Sequence, residues 1–153
     1  MTAPATEPVT WQILQNIGGL LTQISVANGF YTDAGANVIY DNRALDKNDV
    51  FPTLRVNEIK TDTPRSGSVS RNVTIDIAIE CYINADATNA QINAHRVRAD
   101  VMACMPGKIA GLKLYALDVQ SRNIIQRPAG IPFVVVEIIL QAAMTEQTAI
   151  RHT

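Results

Sequence analysis

The chain is poor in the residues from which catalytic and metal sites are usually built. Its 153 residues include two histidines and two cysteines, and aromatic residues make up 5%. Cys81 and Cys104 do not form a CxxC pair, so their spacing indicates neither a zinc site nor a disulfide framework, and we expect two reduced core thiols. His152 falls in a polar tail, which leaves His95 alone within the regular pattern. A two-histidine metal centre and a histidine-based triad are therefore not indicated.

Charge of one sign and long apolar runs are also lacking. Thirteen Lys and Arg residues against fourteen Asp and Glu residues give a net charge of -1, so no overall field favours nucleic acid or an anionic membrane. Residues 1–9 have neither the basic nor the apolar region of a secretory signal, and we expect synthesis in the cytosol. The longest apolar stretch, residues 131–144, falls short of the roughly 20 residues of a membrane helix. No membrane attachment is predicted.

Glycines and carboxylates match no catalytic or nucleotide-binding motif. Gly18 and Gly19 lie inside a predicted helix, and no glycine run fits a Walker or dinucleotide fingerprint. Asp76 and Glu80 fall on one side of a predicted strand and in principle form a carboxylate pair. However, alternating strands routinely carry acidic residues on their solvated face. We therefore predict no catalytic residue, no cofactor and no metal ligand, and we interpret His95 as an ordinary surface histidine.

What the sequence does contain is the hydrophobic periodicity of a single α+β domain. We assign residues 1–153 to that domain, with a loose arm at 1–9 and a polar tail at 145–153. Apolar residues at steps of three and four predict helices over about 10–27, ended by Asn28-Gly29, and over 89–105, opened by a Thr88/Gln91 capping box. Strands are predicted over residues 38–40, 53–60, 73–84, 111–119 and 133–144.

Two of these strands carry information about their surroundings. Residues 73–84 alternate strictly, which places one set of side chains on a core face and the other toward water or a partner. Residues 133–144 are fairly apolar on both faces. That pattern suits a central strand or one whose outer face is covered by another subunit.

The segment 60–72 is rich in Ser, Thr, Pro and Gly and predicts a long connection between two strands. Its basic residues Lys60, Arg65 and Arg71 leave three interpretations open: a solvated surface, a contact with protein, or a contact with a phosphate backbone. Aromatic residues for stacking on bases are absent nearby, so the last is the least favoured.

The turn between the first helix and the first strand has a distinctive sequence. It consists of Ala27, Asn28, Gly29, Phe30, Thr32 and Asp33, followed by a glycine and a short Val-x-Tyr strand at 38–40. This order resembles the opening of the tail-terminator, or tail-completion, proteins of long-tailed bacteriophages. Phe51-Pro52, the long alternating strand, an acidic helix entry near Asp86 and a closing apolar strand follow in a similar order, so the resemblance covers about residues 10–145.

The resemblance implies a mixed, mostly antiparallel sheet of four to five strands with two helices packed on one face, and no enzymatic activity. It implies a virion protein that forms a ring, usually of six copies, at the head-proximal end of the tail tube. Such a ring ends tube polymerisation, meets the tube protein and a head-completion or neck protein, and lets genome DNA pass without sequence-specific binding. A neck connector or another tube-related protein is the alternative. A small-ligand or nucleic-acid module would need a basic aromatic sheet surface, which the sequence does not show.

A ring built from head-to-tail contacts needs additional semi-apolar surface on a small subunit. We expect that surface on the back of the second helix and in the 60–72 segment. The predicted interface residues are Lys60, Arg65, Ser66, Gly67, Ser68, Arg71, Ile92, Ala99 and Ala103.

Overall fold

The computed structural model describes residues 8–41, 44–45, 52–62, 70–84, 90–105, 114–125 and 133–147. Within them lie helices α1 (Val9–Leu21) and α2 (Ala90–Cys104), and strands β1 (Val38–Ile39), β2 (Thr53–Asp62), β3 (Ser70–Asn84), β4 (Leu114–Ile125) and β5 (Phe133–Gln147). The sheet order is β1-β2-β3-β5-β4. Strand β1 is parallel to β2, and the other neighbours are antiparallel. The predicted α+β class with a mixed, mostly antiparallel sheet is confirmed.

The core lies between one face of the sheet and both helices. Odd-numbered residues of β3, from Val73 to Ile83, are buried on that face, as a period of two requires. Helix α1 adds Ile13, Ile17 and Leu21 to the core, and α2 adds Ala94, Val97 and Val101. The two helices therefore cover the same face, and the even-numbered residues of β3 belong to the opposite face, named the outer face below.

Helix α1 ends at Leu21, not near residue 27 as predicted. Ser25 is extended (φ −151°, ψ 153°), and its Oγ accepts a hydrogen bond from the Asn28 N–H at 3.2 Å. Serine side chains compete with helices by binding nearby backbone groups in this way, and a separate 3-10 turn forms over Val26–Asn28. Gly29, at φ 92°, closes that turn in the left-handed region. The Asn28-Gly29 signal therefore ends the short turn and not the helix.

Strand β4 covers Leu114–Ile125 and so continues past the predicted end at residue 119, while residues 111–113 lie outside the described residues. Its pairing with β5 is irregular between Leu114 and Ala116 and again between Val119 and Ser121. Each irregularity shifts the side chains that follow to the other face. The period of two is lost from the sequence, so the predicted strand ends at residue 119 although β4 continues to Ile125.

The 60–72 connection and the 145–153 tail are shorter than predicted. Strand β2 continues to Asp62 and β3 begins at Ser70, so Lys60 and Arg71 lie in strands. Residues 145–147 pair with residues 70–72 and extend β5. The polar composition of these residues predicts a loop and a tail, but their hydrogen-bonded pairing as continuations of two long strands outweighs that local preference. Residues 65–68, the arm before Pro8, and Thr88 lie outside the described residues.

Candidate assembly interface

The turn over residues 27–33, which resembles that of the tail-terminator proteins, is fixed to α2 by one buried carboxylate. Asp100 is 2% exposed, and its two oxygens accept hydrogen bonds from the backbone N–H groups of Tyr31 and Thr32, each at 2.9 Å. The Thr32 hydroxyl donates a third bond at 2.7 Å. Since buried carboxylates are costly unless they are hydrogen-bonded, this arrangement stabilises Asp100 and holds the turn in one position on the helix.

A second contact fixes the turn to the end of α1. The Gly35 N–H donates to the carbonyl oxygen of Ile24 at 3.0 Å. A Cβ at Gly35 would lie 2.8 Å from the carbonyl oxygens of both Ile24 and Thr22, closer than real Cβ contacts allow. Glycine is required here by close backbone approach. The turn is therefore a rigid support between α1 and α2, and its exposed side presents Val26 and Tyr31.

An open pocket of about 400 Å³ lies beside this turn. Its lining combines the turn with one end of β3 and with α2: Val26, Tyr31, Thr32, Asp33, Pro52, Ile83, Asn93 and Val97. Asp33 is engaged locally, since its Oδ1 accepts a hydrogen bond from the Val26 N–H at 2.8 Å. The surface next to α2 is therefore concave at this point.

The exposed side of α2 combines apolar and basic side chains. Ile92, Arg96, Ala99 and Ala103 are exposed and fall on one stripe, because they are spaced by three and four residues. His95 is also exposed, and its Nδ1 lies 3.1 Å from Nη2 of Arg98. Arg98 is half-buried because it reaches β4, where it donates to the Arg122 carbonyl oxygen at 3.4 Å.

The outer face carries a polar network over β2 and β3. The Arg55 guanidinium lies 5.0 Å from the centre of the Tyr82 ring and donates to its hydroxyl at 3.1 Å. That hydroxyl donates to Glu80, also at 3.1 Å, and Asn57 donates to the other Glu80 oxygen at 3.3 Å. Burial, and then the Glu80 charge, raises the pKa of Tyr82 to about 12. The phenol therefore stays protonated and donates to Glu80 at neutral pH.

The rest of the outer face lies over β3, β5 and β4. Asp76 accepts a hydrogen bond from Gln141 at 3.1 Å, and Glu137 lies directly opposite Glu80 in the β3–β5 register. Half-buried apolar residues of β5 lie between these polar positions: Val135, Ile139 and Ala143. This surface matches the two-sided character that the sequence indicated for the last strand.

The two free cysteines differ in exposure. Cys81 is 1% exposed in the core, and Cys104 is half-buried near the end of α2. Burial, followed by the charge of Asp100, raises the pKa of both thiols. A raised pKa lowers the thiolate fraction and so makes a thiol less nucleophilic, which suits packing and not catalysis.

Four of the predicted interface residues have described side chains, and they lie on two different sides of the molecule. Ile92, Ala99 and Ala103 share the exposed stripe of α2, whereas Lys60 is exposed on the outer face opposite Asp76. Their role in an interface stays a prediction. Sequence reasoning missed Asp100, although an aspartate between Val97 and Val101 on a buried helix face is a signal for a buried hydrogen-bond partner.

Among the described residues no group of three His, Cys, Asp or Glu side chains is placed to hold a metal ion. In the same residues, neither helix is long and apolar enough to cross a membrane.

Comparisons with known proteins give a fold relationship. No protein-family model matches the chain, and no curated protein matches it. Among solved structures, a chain from a structure described as the virion of a native gene transfer agent particle matches with a TM-score of 0.63 and 14% sequence identity. The match covers 92% of this chain and 100% of that chain. At this identity the comparison establishes a shared fold.

Proposed function

We propose that this chain is a structural protein of a phage-like virion that forms a ring at the head-proximal end of the tail tube and ends tube polymerisation. The observation that carries the proposal is the end-to-end fold match, which covers the whole of a chain from a virion particle and 92% of this one. A match of that extent supports a common subunit build and not merely a shared supersecondary motif. The resemblance of residues 27–33 to tail-terminator turns supports the finer assignment.

The geometry of the turn suits a subunit that must close a ring. Head-to-tail contacts close into a ring only when each subunit meets the next at one fixed rotation, so the contacting surfaces must be held rigidly. Asp100 anchors the turn to α2, and Gly35, just after the turn, packs against backbone carbonyl oxygens at and beyond the end of α1. The turn thus joins both helices into one rigid layer. We assign the protein no catalytic role.

The proposed ring has six copies, as the resemblance implies, and two chemically different surfaces. One surface binds the last ring of tail tube protein, and the other binds a head-completion or neck protein but does not bind a further tube ring. Such selectivity requires unfavourable contacts with the tube protein on the second surface as well as favourable contacts with the neck protein. Genome DNA passes through the lumen without sequence-specific binding, and the protein acts in the virion after synthesis in the host cytoplasm.

Purified assembly intermediates test this placement. Tails and filled heads are isolated separately from a host in which head–tail joining is blocked, and the chain is quantified in each fraction by mass spectrometry against the tube protein. A terminator is found with the tails, as one ring per tail. Recovery with the heads would contradict the proposal and assign the chain to the neck connector, and a signal proportional to tail length would assign it to the tube.

A further inference from the structure

Two exposed apolar side chains of the turn border the open pocket of about 400 Å³. Val26 is 57% exposed and Tyr31 is 68% exposed. The backbone is fixed at both residues, because the Val26 N–H donates to Asp33 and the Tyr31 N–H donates to Asp100. An exposed aromatic residue on a rigid support loses little conformational freedom on binding, and such residues act as anchors in protein interfaces.

The pocket itself suits an apolar side chain. Its lining includes Ile83 and Val97, which are 5% and 1% exposed, and half-buried Pro52. The volume falls within the range of sites that bind small molecules, so it is large enough for one aromatic side chain. Because Tyr31 also borders the pocket, one surface offers both a projecting ring and a hollow that can receive one. A surface of this kind is self-complementary, which is what a two-fold contact between identical chains requires.

The same surface carries two opposite charges. Asp33 is exposed, and its Oδ1 accepts the hydrogen bond from the Val26 N–H. Arg96 is also exposed, and it lies beside the turn because it comes three residues after Asn93, which lines the pocket, and four residues before Asp100. In the part of the chain that the structure describes, neither Asp33 nor Arg96 forms an ion pair. Each charge can therefore meet its opposite in a second copy.

We propose that two copies of the chain pair symmetrically through this surface, with Tyr31 of each copy in the pocket of the other and Arg96 opposite Asp33. The contact is isologous, since both copies use the same surface. The apolar insertion supplies affinity, and the two reciprocal charge pairs fix the register. An isologous contact closes after two copies, so the head-to-tail contacts of the proposed ring use other surfaces. The pairing of free chains thus goes beyond the proposed function and holds or fails independently of it.

Two variants with matched controls test the pairing. Tyr31→Ser removes the projecting ring, and its control is Ile59→Ser, which truncates an apolar side chain of β2 that is 54% exposed. Arg96→Glu reverses one charge, and its control is Arg122→Glu, the same change at an exposed residue of β4. Sedimentation velocity over a concentration series, at about 0.05 M and about 0.5 M NaCl, measures the dissociation constant of the dimer, because salt screens exposed charges over this range. Thermal melts followed by circular dichroism confirm that each variant is folded.

We expect the wild type to dimerise. Tyr31→Ser and Arg96→Glu should each raise the dissociation constant at least about 10-fold, and the controls less than about 3-fold, because each lost contact occurs twice in a symmetric pair. High salt should weaken the wild-type dimer but strengthen that of Arg96→Glu, in which a glutamate faces Asp33 of the other copy.

Three results would overturn the inference. A wild-type chain that stays monomeric at every concentration is the first, and equal effects of the variants and their controls are the second. The third is a closed assembly that forms without a dimer, since its contacts would be heterologous. If Tyr31→Ser leaves self-association unchanged but abolishes binding to purified tail tubes, the surface binds the tube protein and the pairing is wrong. The proposed function is tested separately, by tail length.

Discussion

The hydrogen bonds accepted by Asp100 predict that Asp100→Asn is strongly destabilising although the side chain keeps its size. An amide offers one acceptor oxygen in place of two. If that oxygen keeps the bonds from Thr32, the amide NH₂ faces the Tyr31 N–H, donor against donor, at a site 2% exposed. Loss of one charge-assisted bond, and weakening of two others, costs about 3 kcal/mol. For a chain of this length that lowers Tm by roughly 6–12 °C.

Guanidinium unfolding, followed by circular dichroism and by Trp11 fluorescence, measures this cost. The matched control is Asp33→Asn, which makes the same chemical change in the same turn at an exposed side chain with one backbone bond. Because water replaces a bond lost at an exposed site, we expect the control to cost less than about 1 kcal/mol. Hydrogen exchange at the amides of Tyr31 and Thr32 should quicken in the Asp100 variant alone. Equal stability of the two variants would refute the argument that Asp100 fixes the turn.

Three further predictions concern single side chains. Gly35→Ala should lower the free energy of unfolding, measured in urea, by about 2–3 kcal/mol, because the added Cβ meets fixed backbone carbonyls. Gly19→Ala, at an exposed helix position with open space around it, should raise that free energy by about 0.5–1 kcal/mol. Equal effects of the two variants would contradict the close backbone approach at Gly35. In a thiol-reagent assay, half-buried Cys104 should react slowly in the native state and Cys81 only after unfolding, and a fast reaction of both would contradict the described burial. The pKa of Tyr82 in the folded state, about 12, exceeds its ordinary value of 10.0. The stabilisation that Tyr82 provides is therefore complete below about pH 10 and is lost as pH rises toward 12. Tyr82→Phe should flatten the dependence of the unfolding midpoint on pH between about pH 10 and 12, and an unchanged slope would contradict the raised pKa of Tyr82.

The sequence predicts the elements of this fold well where one period dominates. The alternation from Val73 to Ile83 identifies β3 and its core face, and the spacing of Ala94, Val97 and Val101 identifies α2. Periodicity fails where geometry is irregular. Ile24 continues the apolar spacing of α1 after the chain has left the helix, and the irregularities in β4 hide its second half.

The candidate interface is less predictable than the core. The α2 stripe with Ile92 and Ala99 follows from helical spacing alone. The placement of Arg122 and Glu137 on opposite sides of the sheet does not follow from local spacing, because it depends on the registers of β4 and β5. Asp100 likewise acquires its partners from a turn 68 residues away in sequence, and no local pattern identifies which backbone groups it binds.

The length distribution of tails is the most direct test of the central claim that this chain ends tube growth. Negative-stain electron microscopy is applied to lysates of a phage that carries a nonsense mutation in this gene, with a plasmid copy of the gene as the complementing control. We expect overlong tubes without heads, restored to normal length by the plasmid. Tails of normal length that fail to join heads would contradict the terminator function and indicate a connector, and normal infectious particles would exclude both.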